Sequence, residues 1–204
     1  LQGDLEYEVA TFRADLGYSD GRRPDAVCWT SAREDALRRD FTINGLFFDP
    51  STDQVVDHVG GRADLQARLV RAIGDADARF DEDRLRLLRA VRFAARLNFP
   101  IEAATWDAVC RRSDQLGGVS AERIHTELNA ILTDPRPADG LGLLETSGLL
   151  ANVLPELPDV ARARARLSHG GRLPAVVAWT TTMLDVDAPD ELWAALGPRL
   201  RMSR

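Results

Sequence analysis

The chain has 204 residues, a formal net charge of −6 and 45% hydrophobic residues, a composition that suits one large folded domain or two small ones and excludes a disordered tail or a mini-protein. Both charge signs are spread along it, which argues against indiscriminate nucleic-acid binding but leaves room for a local basic groove, because phosphates respond to the field where they bind. All 26 positive side chains are arginine, so Schiff-base chemistry and a Walker lysine are both excluded and every cation is a planar fork suited to paired acceptors.

Residues 5–13, LEYEVATFR, alternate apolar and polar and predict a half-buried strand. Residues 14–27 carry two glycines, a proline, three aspartates and paired arginines, the make-up of a mobile loop. Ser31 with Glu34 forms a capping-box pattern that opens a helix through SAREDALRRDFTINGLFF. A strand is expected near residues 54–57, and Gly60-Gly61 predicts a turn.

Beyond Gly74 the apolar spacing becomes helical over residues 81–97, 106–116, 121–132 and 141–153. Proline-rich punctuation near residues 135 and 158 suggests boundaries between submodules. Residues 161–167, ARARARL, read as an exposed helix, and residues 175–186 as a buried one. Cys28 and Cys110 fit neither a CxxC redox pair nor a zinc site, and His58, His125 and His169 are too scattered for a metal site. A reduced, cytoplasmic protein is the expectation, and no apolar run approaches the roughly 20 residues that span a bilayer. The chain begins at Leu1 inside a strand region, so its natural start is expected to lie upstream.

The densest local signal is FDEDRLRLLRAVRFAARL, residues 80–97. Asp81 or Asp83 can cap a helix on which Leu85, Leu88, Val91 and Ala95 share one face, while Arg86, Arg89, Arg92 and Arg96 gather beside a carboxylate. On its own this pattern also describes a solvated charged face.

Its neighbours change the weighing. RRDFTINGL at residues 38–46 is similar to an RRDxxxNA signature, DHVGGRADL at 57–65 to DxxGGxxDL, and EDRLR at 82–86 to EDxxR. SAERIHTELNAIL at 120–132 and GLGLLETSGLLANVLPEL at 140–157 follow in order. In that order they resemble the class II tRNA nucleotidyltransferases, the CCA-adding enzymes, and the bacterial poly(A) polymerases that share their fold.

The resemblance implies an α+β chain: the C-terminal part of a nucleotidyltransferase head over residues 1–73, a helical neck over 74–134, and helical body elements over 135–204. It implies that Asp83 and Arg86 read the incoming base, that Arg89 and Arg92 stabilise triphosphate and base, and that Arg39 contacts the nucleotide. An aspartate accepts from the amino group of cytosine or adenine and an arginine donates to the adjacent ring nitrogen. Uracil and guanine present the opposite polarity. Asp40 and Asn44 fit either ribose contacts or the buried hydrogen bonds that hold the head together. Gly60 and Gly61 fit a turn at the head–neck junction. The loop residues Asp20, Arg22 and Arg23 are similar to a flexible loop of CCA-adding and A-adding enzymes.

The departure is at the amino end, where the family's GG followed by a DxD pair, its magnesium ligands, does not open this chain. Mg2+ is expected for the intact enzyme, with its ligands upstream, and Glu8 is the one catalytic candidate within the chain. The chain alone is therefore expected to transfer nucleotides hardly at all. The implied reaction is addition of CCA or of the terminal A to tRNA from CTP and ATP, with release of pyrophosphate. Poly(A) synthesis and a noncatalytic RNA-binding module are the competing readings. The implied partners are a tRNA or other RNA 3′ end, CTP and ATP, and no membrane.

Overall fold

A computed structural model describes residues 10–16, 26–157, 159–168, 171–184 and 189–201. Two hairpins precede a helical array, the helix-rich α+β class that the sequence implies. Strand β1 (Arg13–Leu16) pairs antiparallel with β2 (Ala26–Trp29), Arg13 opposite Trp29 and Leu16 opposite Ala26. Both ends of the segment expected to be loop are therefore strand. Of the strand expected over residues 5–13, residues 5–9 lie outside the described residues, residues 10–12 are not strand, and pairing begins at Arg13. Alternation marks a half-buried face, whereas a ladder also needs a partner, here the AVCW segment. Glu8, Asp20, Arg22 and Arg23 lie outside the described residues.

Helix α1 (Ala32–Leu37) starts with the anticipated capping box: Ser31 Oγ accepts from the Glu34 N–H and the Glu34 carboxylate from the Ser31 N–H, each at 3.3 Å. It stops at Leu37 instead of running on to Phe48. The Asp40 carboxylate accepts from the Phe41 N–H at 2.9 Å and the Asn44 amide at 2.8 Å, offering the backbone a local alternative to helix. Phe41, extended and wholly buried, starts a 3-10 turn over Thr42–Asn44. The aromatic run that follows is β3 (Leu46–Asp49), paired with β4 (Gln54–Asp57) where a strand was expected.

Asp57 then closes the Gly60-Gly61 turn by accepting four successive backbone N–H groups, from Val59 to Arg62, at 2.9–3.1 Å. Burial alone would raise its pKa, and these donors hold it below the ordinary carboxylate range. Gly60 takes φ 81°, and a Cβ on Gly61 would sit 2.2 Å from the Thr42 carbonyl oxygen, so the start of α2 (Gly61–Ala67) lies flush on the 3-10 turn.

The helix expected over residues 81–97 is two helices, α3 (Ala76–Glu82) and α4 (Arg86–Leu97). Asp83 breaks it: its Oδ1 accepts from the Leu85 N–H at 3.1 Å and its carbonyl from the Arg86 N–H at 3.0 Å. Asp81, the other cap candidate, pairs with Arg112 instead. Leu85, Leu88, Val91 and Ala95 are buried as their spacing requires.

Helix α5 (Ala103–Arg111) begins and ends earlier than expected, because Glu102 caps it through the Thr105 N–H at 2.8 Å. Helix α6 (Ala121–Leu132) falls where the pattern put it. The span 141–153 divides into α7 (Pro137–Thr146) and α8 (Leu150–Val153): Pro137 preorganises the start and Gly148 at φ 81° interrupts.

Helix α9 (Val160–Leu167) is not simply exposed, since Ala163 and Leu167 are buried and Arg164 lies over Gly142, where a Cβ would come within 2.8 Å of the guanidinium. In α10 (Ala175–Thr182) Ala178, Trp179 and Thr182 are buried while Val176 is exposed, so the buried reading holds for one face. Helix α11 (Pro189–Leu200) adds Leu196 and Leu200 to the core.

One hydrophobic core runs from Phe41 through Leu87, Leu88, Leu128 and Ile131 to Leu141 and Leu200. Helix α4 is at its centre, packed on α6 and α7. Each fully buried leucine there contributes about 2 kcal/mol. Its opposite face carries arginines toward residues 38–44. Among the described residues no helix is long and apolar enough to cross a membrane.

Candidate functional site

A cavity of about 490 Å3 opens between residues 38–44 and the start of α4. Arg38, Arg39, Asp40 and Asn44 line one side, and Asp83, Arg86, Arg89 and Phe93 the other. The break at Asp83 makes this possible. It turns the Asp83 carboxylate beside the first turn of α4, while Arg86, Arg89 and Phe93 follow at helical spacing along one face. Of the residues singled out in the sequence, Arg39, Asp40, Asn44, Asp83, Arg86 and Arg89 come together here, and Arg92 does not line the cavity.

Asp40 is 7% exposed. Its Oδ1 accepts from Phe41 and Asn44, and its Oδ2 accepts from Arg89 Nε at 2.6 Å. Burial pushes its pKa up, but the Arg89 charge and these hydrogen bonds outweigh burial and hold it below the ordinary range. These contacts hold the segment and tie it to α4, while Asp40 and Asn44 both also line the cavity.

Arg89 stacks on the Phe93 ring, 5.3 Å from its centroid, and Phe93 meets Phe41 edge-on at 5.8 Å. Arg86 is nearly buried: its Nη1 donates to Glu82 at 2.6 Å and to the Arg79 carbonyl at 2.8 Å, and its Nη2 to the Arg38 carbonyl at 3.0 Å. That last bond joins α4 to the segment across the cavity. Nε of Arg86 makes none of these bonds, and the residue lines the cavity. Asp83 Oδ2 accepts from Arg123 Nη2 of α6 at 2.6 Å.

Arg92 faces away, toward Glu127 of α6. Its Nη1 stands 3.3 Å from Oε1 and 3.2 Å from Oε2, with only the first in line for a hydrogen bond. Glu127 is 4% exposed. Burial raises its pKa more than Arg92 and Arg89 lower it.

Several residues of this site escape the sequence reading: Asp35, Arg38, Phe93, Arg123 and Glu127. One signal was visible for Glu127. It interrupts the apolar face formed by Ile124, Leu128 and Ile131 on α6, and a charge on a buried face asks for a partner.

The cavity wall holds more guanidiniums than carboxylates, with an acceptor, Asp83, next to a donor edge, Arg86, at one end. Such an array can take a polyanion along the arginines and a flat hydrogen-bonding group at the Asp83 end.

Residues 1–71 match the Poly A polymerase head domain, and residues 98–160 the probable RNA and SrmB- binding site of polymerase A. The chain is 42% identical over 178 residues to a CCA-adding enzyme of Levilactobacillus brevis, covering 85% of this chain and 44% of that one. It is 38% identical over 199 residues to the CCA-adding enzyme of Limosilactobacillus reuteri, covering 97% and 46%. The crystal structure of the Bacillus stearothermophilus CCA-adding enzyme in complex with CTP superposes with a TM-score of 0.65 at 33% identity, over 97% of this chain and 45% of that one. The chain thus spans less than half the length of these relatives.

Proposed function

The chain belongs to the family of CCA-adding enzymes and poly(A) polymerases, and from that premise we propose that it carries the nucleotide-selecting part of an enzyme that adds CCA, or its terminal A, to tRNA 3′ ends. The observation that carries this reading is the convergence of Asp83, Arg86, Arg89 and Arg39 on one cavity.

In it, the Asp83 carboxylate accepts from the exocyclic amino group of cytosine or adenine, and the Nε–H edge of Arg86 donates to the neighbouring ring nitrogen. Both bases fit one pair of side chains, so the protein itself acts as template. Uracil and guanine meet a carbonyl oxygen with Asp83 and a ring N–H with Arg86, and each failed contact costs about 1–3 kcal/mol. Arg39 and Arg89 hold the triphosphate, the first stacked over Phe47 at 4.8 Å and the second over Phe93. Arg92 acts from behind, paired with Glu127. Attack of the RNA 3′-hydroxyl on the α-phosphate then releases pyrophosphate.

Among the described residues no three carboxylate, imidazole or thiol groups stand together to hold a metal ion, and magnesium is given no residue of this chain. The reading for the isolated chain is binding without efficient transfer. Helices α5–α7 overlap the stretch that matches an RNA-binding family, and the RNA end is assigned to that side.

Titration of the chain with the four ribonucleoside triphosphates tests the reading. CTP and ATP are expected to bind at least about tenfold more tightly than UTP and GTP. Equal affinity for all four would refute base selection by Asp83 and Arg86.

A further inference from the structure

Behind the cavity, the root of the β1–β2 hairpin and the arginines of the 38–39 pair meet at a carboxylate that the reading above does not use. Asp35, on α1, is 3% exposed. Its Oδ1 accepts from Arg38 Nη2 at 2.7 Å, from Arg38 Nε at 3.0 Å and from the backbone N–H of Arg13 at 3.3 Å. Its Oδ2 accepts from Arg39 Nη2 at 3.0 Å and Nε at 3.2 Å. Two oxygens thus face five donors, one more than the roughly four lone-pair sites of a carboxylate.

The hold on the hairpin is reciprocal, since Arg38 Nε also donates to the Arg13 carbonyl at 2.9 Å. A second line of contact runs beside it. Phe12 meets Phe47 edge-on at 5.2 Å, and the Arg39 guanidinium lies over the Phe47 ring. Arg39 Nη1 donates to the Asn44 carbonyl at 2.8 Å, so this planar group is fixed in direction as well as place.

We propose that Asp35 is a positioning residue for nucleotide binding: from the root of the hairpin it sets the direction in which Arg38 and Arg39 face the cavity. The proposal rests on the nucleotide reading of that cavity. Two features separate it from a merely structural tie. Arg38 and Arg39, the two residues held by Asp35, are both among those lining the cavity, and the carboxylate grips each guanidinium by the same Nε and Nη2 edge, which fixes the plane of the fork.

The sign of the effect is diagnostic. As a bare negative charge near the site, Asp35 would oppose a polyphosphate, and its removal would tighten binding. As a positioning residue, its removal loosens binding.

The test uses the full chain and two variants, Asp35→Asn, which keeps the shape and removes the charge, and Asp35→Glu, which keeps the charge and displaces both guanidiniums. Affinity for CTP and for CMP is measured by titration, and the Nε–H signals of Arg38 and Arg39 are followed by NMR. Asp35→Asn is expected to weaken CTP about tenfold and CMP less than about twofold, with loss of the slowly exchanging Nε–H signals. Asp35→Glu, with its fold intact by circular dichroism, is expected to weaken CTP by about threefold. CTP binding by Asp35→Asn as tight as the wild type, or tighter, would overturn the role of Asp35 alone. A wild-type chain that binds no CTP would instead overturn the nucleotide reading, and this proposal with it.

Discussion

Replacing Arg89 with alanine isolates the Asp40 carboxylate. Asp40 is 7% exposed, and the 2.6 Å bond from Arg89 Nε is its contact with a positive charge. Removing one partner of a buried pair typically costs ~3–5 kcal/mol. The Arg89 side chain is 30% exposed and Asp40 keeps its bonds from Phe41 and Asn44, so a loss of about 2–3 kcal/mol is expected at neutral pH. In a chain of this size that corresponds to a fall of roughly 5–10 °C in Tm.

The pH dependence carries the sign. In the wild type the Asp40 pKa is depressed, so its stabilisation is present above the unfolded-state value and is lost as pH falls through the folded one. In Arg89→Ala, burial without the guanidinium raises the pKa, and the carboxyl takes up a proton as pH falls from neutral, which relieves the penalty. The gap in Tm between the two proteins is therefore widest near about pH 7 and closes toward about pH 4. Thermal melts followed by far-UV circular dichroism across that range measure it. A gap that stays constant would refute the charge argument and assign the loss to packing of Arg89 on Phe93.

Two further predictions concern the scaffold. Gly61→Ala places a methyl group 2.2 Å from the Thr42 carbonyl oxygen and 2.8 Å from its carbon; both sides are backbone, so a loss of about 3 kcal/mol is expected in denaturant titrations, and a loss below about 1 kcal/mol would show that the α2 contact is not tight. Leu88→Ala opens a cavity at a site with 0% exposure in α4, and the urea midpoint should fall by an amount equivalent to about 3 kcal/mol with an unchanged slope.

Much of the fold is legible because its signals are local. The Ser31–Glu34 capping box, the 121–132 helix and the apolar stripe Leu85, Leu88, Val91 and Ala95 each need only neighbours in sequence to declare themselves. The errors occur where a side chain outcompetes the backbone pattern. Asp40 takes the Phe41 N–H and Asp83 the Leu85 N–H, and each stops a helix that periodicity would continue. The β1–β2 ladder is missed for another reason: a four-residue strand pairs across a gap in sequence, and alternation in one strand says nothing about where its partner starts.

The candidate site divides along a similar line. Arg39, Arg86, Arg89 and Asp83 can be picked out through resemblance, because ordered motifs mark them. The carboxylates behind them cannot, since in the sequence Asp35 is one acid in a polar helix, SAREDALRRD, and reads as solvated. Folding converts it into a buried group at i−3 and i−4 from two guanidiniums. Asp40 opposite Arg89 and Glu127 opposite Arg89 and Arg92 repeat the arrangement with partners distant in sequence. Each of these buried acids offsets the repulsion among clustered cations and restricts their direction. A cavity whose cations are all arginine, in a chain with no lysine, therefore depends on buried anions, two of which, Asp35 and Glu127, were not singled out in the sequence and lie outside the cavity lining, and substitutions at those two should alter polyphosphate binding without touching a residue of the cavity wall.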